Sequence, residues 1–305
     1  MAPTTGRLPL LPAAGFVLIW SSGYLAGPIG TAAMSPLMLV AARFAVAAVL
    51  AAGLALALRR PRRISRRTLS QLIFAGVMLN AVQFGAMYLA FDAGLSGTLA
   101  SLAHSLSPVL TAVLAALLLG ERLSKLQVVG FAVGVCGVIV VLGPDVGAVG
   151  GVASIVLAVV SVLGLSLGTL GQRSSAEPVD PLWGAAVQFA VAVPPVFVVA
   201  MLVEGTDPAR IVLDPTVAIP MVLYIAVFNS IVGLGLLGIL VRTRGPGAAA
   251  SIFFLMPPVT ALLSWIVLGE TLNARELIGL LIAVAGVAAA TRSSAAATAA
   301  RSPRS

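Results

Sequence analysis

The chain has 305 residues, of which 60% are hydrophobic and only 9% are charged, and its mean hydropathy is +1.11. So few charges could not cover the apolar surface of a water-soluble domain, so the composition excludes the soluble classes and predicts an integral membrane protein. The net charge of +8 could suggest a nucleic-acid partner, but the distribution of the basic residues favours membrane orientation instead. The single cysteine, Cys136, excludes an internal disulfide and is expected to be a small packing residue.

Apolar segments close to the length of about 20 residues that crosses a bilayer predict ten transmembrane helices. The first of them lacks a small-residue cleavage site and is expected to be retained rather than removed as a signal peptide. Residues 1–9 are predicted to be a cytoplasmic N-terminus, and the low-complexity segment 292–305 a disordered cytoplasmic tail. The predicted spans are 10–30, 36–58, 69–91, 97–119, 127–142, 151–171, 182–203, 217–241, 247–268 and 277–291.

Lysine and arginine are divided unequally between the two sides that ten spans define. With both termini in the cytoplasm, 15 of the 18 basic residues lie in cytoplasmic segments, two lie in outside loops, and Arg43 lies inside a span. This bias predicts a multi-pass protein of the cytoplasmic membrane with both ends inside. The basic run 59–67 is therefore interpreted as a topology anchor that contacts anionic lipid, rather than as a nucleic-acid site.

The segment 98–141 is repeated at 247–290 with a constant shift of 149 residues and no gap. Fourteen of the 44 positions are identical, including Pro108 with Pro257 and a Gly-Glu pair in each copy. Apolar composition alone would produce matches of alanine and leucine, but not of these residues together. The chain is therefore an internal duplication.

Each copy of the repeated segment is predicted to be a helical hairpin. One helix ends at Leu-Gly-Glu, and the next begins behind a capping box, formed by Ser124 with Gln127 and by Asn273 with Glu276. The glutamate of each Leu-Gly-Glu sequence is interpreted as a turn residue favoured by the positive N-terminus of the following helix, rather than as a substrate contact.

The duplication divides the predicted spans into two five-helix repeats, 10–142 and 151–291. Because five is odd, the second repeat is predicted to be inverted in the membrane relative to the first. Inverted repeats are the architecture of many secondary transporters, which bind substrate near the midplane between the repeats. The predicted fold is therefore an all-α integral membrane protein with ten transmembrane helices in two inverted repeats.

Polar residues inside the spans are few, and each needs a partner or a wet cavity, because a charge at a helix centre costs about 2.5–3.5 kcal/mol. Six of them fall at similar depths in the first repeat, and two asparagines, one in each repeat, are related by the shift of 149 residues. We expect these residues to line a substrate-binding site. The eight candidates are Trp20, Tyr24, Arg43, Asn80, Gln83, Tyr88, His104 and Asn229.

Other interpretations of these candidates stay open. Arg43 could extend to the membrane surface or pair with Asp92, His104 could bond to a neighbouring backbone, and the two asparagines could join helices. No Asp or Glu lies within any predicted span, so His104 is the intramembrane group that could titrate near neutral pH. A buried Arg43 without an acidic partner favours a substrate that carries a carboxylate or a phosphate.

Several function classes have no support in the sequence. There is no His, Asp and Glu cluster, no metal-ligand spacing and no activated nucleophile, so neither an enzyme nor a bound cofactor or metal is expected. The longest predicted loop, 204–216, is too short for a soluble catalytic or receptor domain. The expected partners are a small-molecule substrate and the lipid bilayer, with no nucleic acid.

Four stretches carry a family resemblance: WSSGY in the first span, the Arg43-Phe44 pair, SLSPVLTAVLAALLLGERLSKLQVVG, and LMPPVTALLSWIVLGETLNARELIG. The chain up to about Thr291 resembles the EamA-type branch of the drug/metabolite transporter superfamily. The resemblance implies an inverted-repeat carrier with a central cavity, which moves small metabolites, often amino acids or related compounds, frequently outward. The second copy departs from the first at Pro258, where the first has Val109.

The sequence therefore predicts a secondary transporter of small organic solutes that exports them by alternating access between the two repeats. One alternative is a multidrug efflux carrier, for which aromatic residues should matter more than Arg43. Another is a non-transporting membrane receptor or assembly subunit. The substrate, the coupling ion and the oligomeric state do not follow from the residues.

Overall fold

The computed structural model describes residues 10–121, 123–144, 146–173 and 179–301. These ranges are almost entirely helical, and within them the β-structure is limited to one isolated bridge between Met34 and Val212. A single helical turn, Pro208–Ile211, lies between the seventh and eighth long helices. The long helices are α1 (Leu10–Thr31), α2 (Pro36–Ala57), α3 (Arg66–Asp92), α4 (Gly97–Leu119), α5 (Lys125–Leu142), α6 (Gly151–Arg173), α7 (Pro181–Val203), α8 (Pro215–Thr243), α9 (Phe253–Leu268) and α10 (Ala274–Arg301).

Eight helices of the described ranges, α1 to α8, are long and apolar enough to cross a membrane, and α9 is a shorter apolar helix. The prediction of an all-α membrane protein is confirmed, whereas the count of ten spans stays a prediction. The largest differences from the predicted boundaries are at the ends of two helices. Helical structure continues from α8 to Ile252, through the predicted loop 242–246. Helix α10 continues to Arg301, so the helix includes 292–301 of the tail that was predicted to be disordered.

Helices α3 and α8 each contain one π-helical segment, at positions related by the shift of 149 residues. The segments are Val77–Val82 and Ile225–Val232. A π segment locally widens the helix and often marks a functional site. Asn80 and Asn229 lie in these segments, and both are buried, so the duplication puts a buried amide at the same place in each half.

Helix α4 is interrupted at Leu106, immediately before the Ser-Pro sequence. Its two parts are Gly97–Ser105 and Ser107–Leu119, so Pro108 lies in the first turn of the second part, where its missing N–H is not needed. Helix α9 has the corresponding irregularity, because a 3-10 turn at Phe253–Leu255 precedes its α-helical part. The matched prolines thus interrupt matched helices.

The turn that follows α4 and the turn that follows α9 are built in the same way. Gly120 and Gly269 end their helices in the left-handed conformation, with φ of 69° in both cases, which a residue with a Cβ adopts only at a cost. The capping boxes predicted for α5 and α10 are both confirmed, with N–H···O distances of 2.8 to 3.2 Å. The two hairpins are therefore copies in detail as well as in sequence.

Helices α5 and α10 pack closely along a stripe of glycines. A Cβ atom on Gly137 would lie 2.7 Å from the Cα atom of Ala283, and one on Gly279 would lie 2.8 Å from the carbonyl oxygen of Gly137. Because carbon atoms in ordinary contact are about 3.5–4.0 Å apart, this approach requires glycine. The close approach of α5 and α10 therefore depends on these glycines.

The packing of α5 also explains why the prediction for Cys136 was wrong. Cys136 was expected to pack inside the protein, but it is exposed on α5. Its neighbours Gly134 and Gly137 are buried against α10, and a helical residue next to them points in a different direction. Cys136 therefore lies on the outer surface of the bundle, as do many other apolar side chains.

Helices α2 and α7 are joined at both ends. At one end the Glu204 carboxylate accepts hydrogen bonds of 2.6 Å from the Leu37 N–H and 3.2 Å from the Met38 N–H, and so satisfies N–H groups that have no partner within the helix. At the other end Arg60 Nε lies 3.9 Å from Asp180 Oδ2. Helix α2 of this pair carries Arg43, one of the polar residues described next.

Candidate functional site

A cavity lies among α1, α2, α3, α4 and α8, with about 430 Å³ of empty space that includes space open to solvent, and its wall combines several polar groups with a larger apolar surface. Seven of the eight residues that the sequence indicated contribute to its wall. The eighth, Asn80, is buried in the π segment of α3 but does not line the cavity. The role of these residues in binding a substrate stays a prediction. The lining residues are Trp20, Gly23, Tyr24, Arg43, Gln83, Phe84, Met87, Tyr88, Phe91, His104 and Asn229.

Arg43 of α2 brings a positive charge into this cavity, and only 5% of its surface is exposed. Its Nε donates to Ser230 Oγ at 3.2 Å, and one terminal nitrogen donates to the Tyr88 hydroxyl at 3.4 Å. A guanidinium has five N–H donors, so most of its donors remain for another ligand. No Asp or Glu of the described residues pairs with it. The alternative of an ion pair with Asp92 is therefore wrong.

Aromatic rings surround the rest of the guanidinium. Its central carbon lies 4.2 Å from the ring centre of Phe84 and 5.0 Å from that of Phe44. Such contacts with ring faces stabilise a cation by about 0.5–2 kcal/mol, but they do not neutralise its charge. Arg43 is thus held in place by hydroxyls and rings, while its charge stays available to an anion.

A chain of hydrogen bonds connects four helices beside the cavity. The Tyr24 hydroxyl lies 2.9 Å from His104 Nδ1, and His104 Nε2 lies 2.9 Å from Ser161 Oγ. Ser161 Oγ in turn donates to the Gln83 carbonyl at 2.7 Å. The alternative that His104 bonds to a neighbouring backbone is therefore wrong, because both ring nitrogens bond to hydroxyls.

The Gln83 carbonyl at the end of this series of hydrogen bonds fixes which group donates in each of them. The Gln83 carbonyl can only accept, so the single hydroxyl hydrogen of Ser161 is used there, and Ser161 must accept from His104 Nε2–H. The neutral imidazole then accepts at Nδ1 from the Tyr24 hydroxyl. While His104 is neutral, Tyr24 therefore uses its hydroxyl hydrogen for His104, and its oxygen can only accept from any further group.

Asn229 combines a structural bond with a free group. Its amide nitrogen donates to the carbonyl of Ile19 in α1, so the alternative interpretation, that this asparagine joins two helices, is correct for Asn229. Its Oδ1 atom is buried and meets no hydrogen-bond donor among the described residues. A buried acceptor without a partner costs about 1–3 kcal/mol, which is a reason to look for a ligand that donates to it.

Several residues of the site were missed in the sequence. Phe84, Met87 and Phe91 follow one another at intervals of three and four residues, which is the spacing of one helix face, so this signal could have identified them. Ser161 and Ser230 are buried hydroxyls in apolar segments, and nothing in the sequence distinguishes them from other serines.

Comparison with a known protein family matches the two halves of the chain separately. The sequence model of the EamA-like transporter family matches residues 8–143 and again residues 152–292. A chain of known crystal structure superposes with a TM-score of 0.62 and 21% identity, over 96% of this chain and 98% of its own length. At that identity, the superposition shows a shared fold alone.

Curated relatives match over nearly the full length. A protein of Salmonella typhimurium named "Probable amino-acid metabolite efflux pump" is 26% identical over 94% of this chain and 94% of its own. A protein of Escherichia coli named "Uncharacterized inner membrane transporter YedA" is 28% identical over 92% of this chain and 90% of its own.

Proposed function

Because the chain belongs to the EamA-like transporter family, we propose that it is a secondary transporter that exports small amino-acid-like solutes across the cytoplasmic membrane. The family assigns the chain to multi-pass membrane transporters rather than to enzymes. The name of the Salmonella typhimurium relative supports the substrate class.

The observation that carries the proposal is the buried, unneutralised Arg43 at the wall of the cavity. A buried charge without a counter-ion is costly, and a charged group inside a membrane protein usually marks a substrate or ion pathway. An anionic group on a solute would supply the missing counter-charge through charge-assisted hydrogen bonds. Arg43 therefore favours a carboxylate-bearing solute.

Ten spans in two inverted repeats are the architecture that we propose for this carrier. The two separate family matches support it, as do the matched π segments, interrupted helices and capped turns in both halves. The packing also supports it, because α5 packs against α10 and α2 against α7, while α3 contacts α6 as α8 contacts α1. Each of these relations fits an exchange of the two halves by a two-fold axis in the membrane plane.

Alternating access would require contacts between the halves to break and form again. Two such contacts border the cavity: Arg43 of α2 bonds to Ser230 of α8, and His104 of α4 bonds to Ser161 of α6. Both involve neutral hydroxyls, so each costs only about 0.5–1.5 kcal/mol to lose, or about 1.5–3 kcal/mol for the charged donor. Bonds of this strength are compatible with rocking of one half against the other.

The orientation that we propose has both termini in the cytoplasm. The connection between α2 and α3 carries most of the basic run 59–67, which favours the cytoplasmic side for that end of the bundle. Residues 1–9, which include Arg7, lie outside the described part of the chain.

The experiment is a flux measurement in proteoliposomes that contain the purified chain. Vesicles loaded with a mixture of labelled amino acids should lose at least one of them faster than empty vesicles, and Arg43→Ala should abolish the difference. Asn80→Leu, which removes a buried polar side chain that does not line the cavity, serves as a control and should retain flux. No flux of any amino acid would favour the receptor alternative, and flux of lipophilic cations that survives Arg43→Ala would favour multidrug efflux.

Multidrug efflux has one specific observation in its favour, which is the aromatic share of the cavity wall. Five of the eleven lining residues are aromatic rings of Trp, Tyr or Phe. Two of them, Phe84 and Tyr88, already contact the guanidinium of Arg43. Rings that serve a cation of the protein are less available to a cationic drug, so we place the metabolite function first.

A further inference from the structure

The amide of Asn229 has a fixed orientation, which decides which of its two ends is left without a partner. The Ile19 carbonyl accepts a bond from Ser22 Oγ at 2.6 Å and a second one from Asn229. Because a carbonyl oxygen cannot donate, the group that faces it must be the NH₂ of Asn229. The other end, Oδ1, is therefore the free one.

The backbone of α1 holds this orientation by close packing. A Cβ atom on Gly23 would lie 2.7 Å from Nδ2 and 3.2 Å from Cγ of Asn229. The amide thus rests directly on the glycine, and with 7% of its surface exposed it has little room to rotate. Asn229 thus holds Oδ1 at a fixed place in the cavity wall, buried and without a donor among the described residues.

The cation and this acceptor are neighbours. Ser230, which follows Asn229 in the π segment of α8, accepts the hydrogen bond from Arg43 Nε. Arg43 offers donors without a counter-ion, and Asn229 offers an acceptor without a donor. The two groups line the same small cavity.

We propose that Arg43 and Asn229 form a bipolar site that selects solutes with a carboxylate and an amino group on neighbouring carbons. The carboxylate bonds to the Arg43 guanidinium, and the ammonium donates to Asn229 Oδ1. Asn229 is the specificity-determining residue, because a carboxylate that lacks the amino group leaves Oδ1 buried and unpaired. This inference rests on the proposed function. It assigns recognition of the substrate to two groups, the Arg43 guanidinium and Asn229 Oδ1.

The duplication provides a matched control. Asn80 is the repeat-mate of Asn229, lies in the corresponding π segment and is buried to the same degree, but it does not line the cavity. A change at Asn80 therefore reproduces the loss of a buried amide from a π segment without the loss of the proposed contact. Any effect found at Asn229 and not at Asn80 belongs to the site.

The test is a binding measurement on the purified full-length chain in detergent. The twenty L-amino acids are screened first by thermal shift, and the strongest binder is compared with its analogue without the amino group and its analogue without the carboxylate. For L-leucine these are 4-methylpentanoate and 3-methylbutylamine. We expect the amino acid to bind about tenfold or more tightly than either analogue, as for sites that leave a buried polar group unpaired.

Two variants assign the discrimination to its residues. Asn229→Leu should bind the amino acid and the carboxylate analogue equally, and Arg43→Gln should do the same for the amino acid and the amine. Asn80→Leu should discriminate as the parent does. Equal binding of the amino acid and its des-amino analogue by the parent chain would overturn the proposal, even if the variants fail to fold, and so would the absence of binding by all twenty amino acids.

Flux measurements separate this inference from the proposed function. If the reconstituted chain moves another solute while amino acids show no discrimination, the bipolar site is refuted and the transporter assignment stands. If amino acids bind with the expected discrimination but none crosses the membrane, the site stands and the transporter assignment fails.

Discussion

Ser161 offers a sharp test of the hydrogen-bond chain beside the cavity. Ser161→Ala removes the acceptor of His104 Nε2–H, and the surrounding atoms leave this hydroxyl fully buried. An imidazole N–H buried without a partner costs about 1–3 kcal/mol. We expect the free energy of unfolding in detergent to fall by that amount.

The same substitution should also weaken substrate binding. Without Ser161 the imidazole can take the other tautomer or rotate, and Tyr24 then loses the acceptor that directs its hydroxyl. One neutral hydrogen bond is worth about 1 kcal/mol, so the affinity for the amino acid identified by thermal shift should fall about fivefold.

Ser166→Ala is the matched control for this experiment. Ser166 is an equally buried serine of α6, but its hydroxyl bonds to Ser107 and not to a residue of the cavity. It should lose stability to a similar extent and leave the affinity unchanged. If both variants weaken binding equally, or if Ser161→Ala binds as the parent does, these hydrogen bonds do not orient Tyr24 for the substrate.

Two further predictions concern the packing that holds the cavity walls. Gly137→Ala should lower the free energy of unfolding by about 1–3 kcal/mol, because its Cβ would press on Ala283 of α10. Gly53→Ala is the control and should leave stability unchanged, because a Cβ there would enter open space. Equal thermal midpoints for the two variants would contradict the close packing of α5 against α10. Glu204→Ala should cost about 0.5–2 kcal/mol by removing the cap of α2, measured in the same way, whereas Glu121→Ala, at an exposed turn, should stay within about 0.5 kcal/mol of the parent.

Much of the fold was predictable because local rules determine it. The capping boxes, the glycine turns and the interruption before Pro108 follow from residues that act within a few positions of one another. Because the second half repeats these residues, the same local rules apply there. The end of α8 was not predicted, because Arg242, Arg244 and the Gly-Pro-Gly sequence indicate a loop, whereas the helix continues through them to Ile252.

The site was predictable in composition and not in geometry. A polar residue in an apolar span stands out, so Arg43, His104 and Asn229 could be found by their cost to the membrane. Which groups they contact depends on packing between distant helices, and Ser161 became part of the chain only through the approach of α6. The repeat also misled, because Asn80 shares the sequence position of Asn229 but not its place at the cavity.

The central claim is that this cavity opens alternately to the two sides of the membrane, and cysteine accessibility tests it most directly. Cys136 is the one cysteine of the sequence, so Cys136→Ser provides a background for Met87→Cys, which introduces a thiol at the cavity wall. The variant is treated with a membrane-impermeant thiol reagent in right-side-out and in inside-out vesicles. We expect labelling from both sides of the membrane and protection by the bound amino acid on both. Labelling from one side only, in the presence and absence of the amino acid, would contradict it.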